Sequence, residues 1–199
     1  MSTGNALRVG IFVFDGAEEL DVVGPYEVLA AWAKISPLHP EVVTFSWDGG
    51  GIRCAKGLCL VPDLAAPDVG PLHVLVYPGG HGTRALAADP DHLVWVREMR
   101  EQTPLMTSVC TGALVYAAAG LLSGRTATTH WSAFDELVAF DPSVLADDEA
   151  RYVDDGDVVT SAGVSAGIDM ALHLVARLDS VDVARAVRRE IQYDPAPPI

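Results

Sequence analysis

The sequence predicts an α/β sandwich built on a mainly parallel sheet. Short runs rich in Val, Ile, Leu and Phe recur along the whole chain, and segments with helical apolar spacing separate them. The runs are continuous rather than alternating, as strands covered on both faces require. At 199 residues, 50% hydrophobic and 20% charged, the chain is long enough for one domain with a sizeable core, and residues 1–199 read as that single domain.

Leu7 to Phe14 suits a buried first strand, and Asp15-Gly16 a turn. Pro25 suits the first turn of a helix running to about Lys34, which places Asp21 in or beside the loop leaving that strand. Ser36 to Pro40 reads as loop and Val42 to Trp47 as a second strand. Asp48-Gly49-Gly50-Gly51 lacks the Lys-Ser/Thr and the following helix of a phosphate cradle, so it reads as a hairpin turn. Cys54 and Cys59 flank Gly57 in a short extended stretch and read as structural; Asp63 to Pro71, rich in Pro and Asp, reads as loop. Val74 to Tyr77 forms the next buried strand and ends in Pro78-Gly79-Gly80-His81-Gly82-Thr83. Asp89-Pro90 opens an amphipathic helix to about Glu101, with Leu93, Val96 and Met99 on one side.

The run from Leu105 reads as a buried strand that ends at Cys110 and turns through Thr111 and Gly112 into an apolar helix, Ala113 to Ala119. That is the pattern of a nucleophile elbow, in which the side chain projects from a tight strand-to-helix turn. Unpaired N–H groups of the helix start would favour the thiolate, the reactive form of cysteine. The other reading is a buried cysteine that fills space. Gly120 to Gly124 ends the helix, Arg125 to Trp131 follows as a short strand and turn, and Ser132 to Leu137 reads as helix. Asp147 to Asp157 is an acidic, solvated edge enclosing an Arg151-Tyr152-Val153 strand, and Val158 to Ser161 is the last strand. Ser165 caps an apolar helix through Ile168, Leu172 and Val175; a final helix runs from about Val181 to Ile191, and Asp194 to Pro198 cannot be helical.

Ligand sites of parallel sheets gather at the carboxyl ends of the strands, where Asp21, Gly79-Gly80 and Cys110 should converge. Asp21 reads either as a helix cap or solvated turn carboxylate, or as a carboxyl whose apolar neighbours raise its pKa so that it holds a proton near neutral pH. The glycines let backbone N–H groups approach a reacting atom, or simply make a tight turn. His130 is a base or orienter for the cysteine, or a histidine satisfied locally at a helix start.

The net charge of −14 argues against a nucleic-acid or anionic-membrane partner, because either needs a basic face. Met1 to Ala6 shows no targeting pattern and no run reaches membrane-spanning length, so a cytosolic protein is expected. Three cysteines at spacings unlike any zinc or redox motif read as free thiols. Neither a metal nor a cofactor is called for.

Leu20-Asp21-Val22-Val23-Gly24-Pro25, Tyr77-Pro78-Gly79-Gly80, Ser108-Val109-Cys110-Thr111-Gly112-Ala113, Gly120-Leu121-Leu122 and Ala127-Thr128-Thr129-His130-Trp131 together resemble the ThiJ/PfpI superfamily. Within it the chain looks most like isonitrile hydratases, through Ala162 to Asp169 and on to Gln192 to Pro198. The resemblance implies a flavodoxin-like three-layer sandwich, a homodimer, a cysteine nucleophile at Cys110, an acidic partner at Asp21 and a supporting role for Thr111. It implies a small-molecule substrate, with Gly79, Gly80 and His130 as candidates to hold it and the Thr111 hydroxyl to orient the carboxyl. Protease-like members carry His after the cysteine, where this chain has Thr111, so a peptidase reading loses its base; many relatives carry Glu where it has Asp21, which favours the hydratase-like branch. The same motifs resemble the ligand-binding domain of AraC-type regulators, so a non-enzymatic ligand or redox sensor is an alternative, as is glyoxalase or deglycase chemistry on small dicarbonyls.

Overall fold

The computed structural model describes residues 7–194, so the readings of Met1 to Ala6 and of the tail beyond Asp194 lie outside the described residues. Its central sheet contains β1 (Arg8–Phe12), β2 (Glu41–Ser46), β5 (Leu64–Ala65), β6 (Val74–Tyr77), β7 (Leu105–Val109), β10 (Tyr152–Asp154) and β11 (Val158–Ser161). These seven lie in the order β10-β11-β7-β6-β1-β2-β5, all parallel except β10, which runs antiparallel to β11. Two small pairs, β3 (Ile52–Arg53) with β4 (Cys59–Leu60) and β8 (Thr126–Ala127) with β9 (Leu145–Ala146), stand outside it.

Helices cover both faces. On one pack α1 (Glu19–Ile35), α6 (Ala166–Leu178) and α7 (Val181–Glu190); on the other lie α2 (Thr83–Ala87), α3 (Pro90–Gln102), α4 (Gly112–Ala118) and α5 (Phe134–Phe140). The arrangement is a flavodoxin-like three-layer sandwich, as the continuous apolar strands require: every residue of β6, β7 and β11 is buried. Among the described residues no helix is long and apolar enough to cross a membrane.

Strand order positions the site. The chain leaves β1 toward β2 on one side, while β6 and β7 build outward on the other, so the loops after β1 and β6 diverge and leave a crevice. Tyr77 pairs with Ser108, which brings the turns after β6 and β7 out of the sheet side by side. An Ala17–Gly80 bridge and a Glu18 N–H to Gly79 carbonyl bond of 2.8 Å tie the loop after β1 to the glycine turn.

Several expectations change. The first helix begins at Glu19, so Asp21 lies in its first turn rather than in a loop, and Pro25 lies inside it. Pro25 has no N–H to give the Asp21 carbonyl, and the turn is held instead by its ties to Gly79. Asp48 to Gly51 makes no hairpin, because β3 pairs with β4 and not with β2. The expected loop 63–71 contains edge strand β5, recruited by β2, and a short 3-10 turn at Ala66–Asp68. Cys54 is buried but Cys59 is exposed, so only the former packs a core. Ser165 occupies the cap position of α6 without capping it; its backbone is helical, and its hydroxyl lies 3.4 Å from Arg151. Helix α2 carries too short an apolar pattern to be read from sequence.

Candidate active site

Cys110 follows β7 in the left-handed region, φ 56°, a conformation that costs a non-glycine residue about 1–3 kcal/mol and that surrounding contacts must hold. Those contacts are present: its N–H donates to the carbonyls of Ser161 at 3.0 Å and Ala162 at 3.2 Å, and its carbonyl accepts from Thr129 Oγ1 at 2.8 Å. The backbone is pinned by β11 on one side and Thr129 on the other, and α4 starts two residues later.

Asp21 reaches the same point from the first turn of α1. Its side chain is fully buried; Oδ2 accepts the Gly79 N–H at 2.9 Å, and Oδ1 has no hydrogen-bond partner. Burial pushes the carboxyl up to about 7; the Gly79 N–H opposes the shift, nearby Glu18 adds to it, and the adjacent Cys110 thiol draws it partly back. A buried acid with one unpartnered oxygen beside a cysteine is placed to exchange a proton.

Gly79 is the point of convergence. A methyl group there would stand 2.5 Å from the Thr111 nitrogen, 2.8 Å from Asp21 Oδ2 and 2.8 Å from Cys110 Cβ. Gly79→Ala is expected to wedge acid and cysteine apart, lowering turnover at least about a hundredfold and stability by about 1–3 kcal/mol, as a turnover assay and a urea titration will register. Gly80, at φ 123°, lets the chain cross beneath the first loop.

The Thr111 hydroxyl does not orient Asp21. It accepts the Gly80 N–H at 2.9 Å and meets the Gly80 carbonyl at 3.1 Å, which locks the glycine turn to the elbow. The Gly79 and Gly80 amides are therefore occupied rather than free to hold substrate. Sequence reading missed Thr83, a buried residue directly after that turn, whose Oγ1 lies 2.7 Å from the Gly80 carbonyl and 3.1 Å from Thr111 Oγ1. It also missed Val164, whose amide, with that of Thr111, faces the Cys110 sulfur and favours the thiolate. Its signal was the glycine before it, at the end of the last strand.

Those amides do not prevail. Cys110 is only 5% exposed, and burial together with the Asp21 charge pushes its thiol up to about 12. The elbow therefore holds a protonated thiol at neutral pH, contrary to the expectation from the helix start. The amides that face the sulfur are those of Thr111, the residue before α4, and of Val164, and they act against a neighbouring carboxylate.

His130 does not hydrogen-bond to Cys110. Its Nδ1 lies 2.8 Å from Ser132 Oγ, and its ring covers Gly163, where a Cβ would stand 2.3 Å from the ring. It lines a cleft of ≈ 390 Å³ with Thr129, Trp131, Phe134 and Val164, two of which touch or face Cys110. Among the described residues no group of three or more His, Cys, Asp or Glu is placed to hold a metal ion.

Residues 7–177 match the DJ-1/PfpI family. The chain is 39% identical over 194 residues to the isonitrile hydratase of Pseudomonas putida, covering 97% of this chain and 81% of that protein. It is 32% identical over 146 residues to the HTH-type transcriptional regulator CdhR of Pseudomonas aeruginosa, covering 73% of this chain but 43% of the regulator. Its fold superposes on a ThiJ/PfpI family protein from Pseudomonas syringae with a TM-score of 0.87 and 31% identity, over all of this chain and 84% of that one. On this sequence match and this shared architecture, the chain belongs to the DJ-1/PfpI family.

Proposed function

We propose that this protein hydrates an isonitrile to the N-substituted formamide, with Cys110 as nucleophile and Asp21 as proton carrier. The observation that carries this is the buried pairing of a carboxyl titrating near 7 with a protonated thiol across Gly79. An isonitrile carbon must gain both a nucleophile and a proton, and that pair supplies both from one side.

Ionised Asp21 takes the thiol proton as sulfur attacks the terminal carbon, then delivers it to that carbon, giving a thioimidate on Cys110. In the second half Asp21, ionised again, takes a proton from water as the hydroxyl adds to the same carbon. That proton passes to nitrogen; the C–S bond then breaks as the new hydroxyl gives its proton, by way of Asp21, to the departing sulfur, and the formamide leaves with the thiol restored. No metal or cofactor enters. Because Asp21 must begin ionised, kcat/KM should rise as pH passes through about 7, and a pH–rate profile flat from 5 to 8 would exclude Asp21 as the base. The direct test of the function is to follow formamide from alkyl and aryl isonitriles; an inert wild-type protein rejects it.

The similarity to CdhR supports a second reading, a ligand or redox sensor without turnover. A redox sensor needs an accessible, low-pKa thiol. Cys110 is nearly buried with a raised pKa, which favours the hydratase. The protein is further read as a cytosolic homodimer, for which the exposed α1 side chains Leu20, Val23 and Tyr26 offer apolar surface.

A further inference from the structure

Helix α2 leaves the Gly79-Gly80 turn directly, and α5 starts four residues after His130; both pack against α4, the helix of the elbow. One side chain from each meets over that helix. Arg84 Nε lies 2.9 Å from Glu136 Oε2 and Nη2 lies 2.7 Å from Oε1, a two-pronged guanidinium–carboxylate pair, while Nη1 lies 3.4 Å from the Gly80 carbonyl. An exposed ion pair contributes little to stability unless its geometry is good, and this fork leaves the guanidinium one orientation.

That orientation directs positive charge at the turn carrying Thr111 and Cys110. The Gly80 carbonyl is the same atom that Thr83 and Thr111 hold. We propose that Arg84 and Glu136 are a positioning pair for this site: anchored by Glu136, the Arg84 guanidinium braces the Gly80 turn and supplies the cation that eases proton loss from Cys110. This rests on the reading of Cys110 as the reacting group.

The charges around the sulfur leave this work to Arg84. Asp21, in the first turn of α1, opposes the thiolate when it is ionised. Lys56, on the β3–β4 loop, is committed to Glu18. His130 bonds to Ser132 and covers Gly163. Arg84, whose pKa is raised first by its bond to Glu136, is held in its charged form also by a negative Cys110, and that attraction is mutual.

The test is the rate of iodoacetamide alkylation, followed by mass spectrometry of the peptide carrying Cys110, in the full chain between pH 6 and 10. Arg84→Met should slow Cys110 alkylation about three- to tenfold across that range, all of which lies below the thiol midpoint. Arg84→Lys, which keeps the charge without the fork, should recover part of the loss. Glu136→Gln should also slow alkylation although it removes a negative charge, because the guanidinium loses its anchor. An unchanged profile in Arg84→Met with unchanged thermal stability overturns the assignment, and faster alkylation in Glu136→Gln overturns the anchoring role. Iodoacetamide involves no isonitrile, so a chain that hydrates none still answers this question. A hydratase whose alkylation ignores Arg84 refutes only the pair.

Discussion

Cys110→Ser is expected to abolish the proposed formamide production, with kcat/KM falling at least about a thousandfold while the protein stays folded. Oxygen replaces sulfur in nearly the same volume, and the backbone ties that hold the left-handed turn, to Ser161, Ala162 and Thr129, involve no sulfur. What is lost is nucleophilicity. A serine hydroxyl is far less acidic than a thiol, and Asp21, titrating near 7, is too weak a base to activate it. The check is a steady-state assay on an aryl isonitrile beside a thermal melt of the same preparation. Full turnover by the variant would remove the covalent step from the mechanism.

Asp21→Asn is expected to separate activity from stability. Turnover is expected to fall roughly a hundred- to ten-thousandfold, because Asp21 is the carboxyl set against the thiol and the Asn amide neither takes nor returns its proton. Stability moves with pH. The folded carboxyl titrates near 7 against an ordinary 3.8, so folding favours the protonated form. Its penalty is absent below pH 4, grows as the pH rises through the window from 4 to 7, and is complete above it. A shift of about three pH units corresponds to roughly 4 kcal/mol, an upper bound for a buried group beside a titrating thiol. Asn also places an amide where the carboxyl oxygen Oδ1 has no partner, at a cost that does not depend on pH. The variant should therefore gain about 2–4 kcal/mol relative to wild type between pH 4 and pH 8, as urea titrations at both values will show. A constant difference would mean that Asp21 titrates as an ordinary carboxylate.

Much of the fold was legible because burial on both faces leaves a plain mark on sequence. Val74 to Tyr77 and Val158 to Ser161 match the observed strands end to end, and the elbow at Cys110 follows from an apolar run meeting Thr111-Gly112. The start of α1 was not legible, since Pro25 pointed to a later first turn. Tertiary ties from Gly79 to Glu18 and Asp21 decide that boundary, and no local pattern records them. Strand β5 is two residues long and exists only because β2 offers an edge.

The site was legible as a set of residues but not as a set of proton positions. Cys110, Asp21 and the glycine turn could be placed together at the carboxyl ends of the strands from the alternation of strands and helices. The thiol's raised pKa comes from depth and from the carboxylate facing it, and both arise only when α1 and β7 are packed together. Thr111 was read as the partner of Asp21, whereas its hydroxyl closes on Gly80, because Thr83 and the glycine turn reach it first. The Arg84–Glu136 fork joins two short helices, and one of them carried no readable pattern.

The proton on Asp21 is the claim on which the mechanism turns, and carbon-13 NMR of its side-chain carboxyl reads it directly, with Asp21→Asn assigning the resonance. A midpoint near 7 is the expected result. A midpoint near 4 would show a carboxylate too weak a base to take the proton of the Cys110 thiol, and would contradict the expected rise of kcat/KM near pH 7.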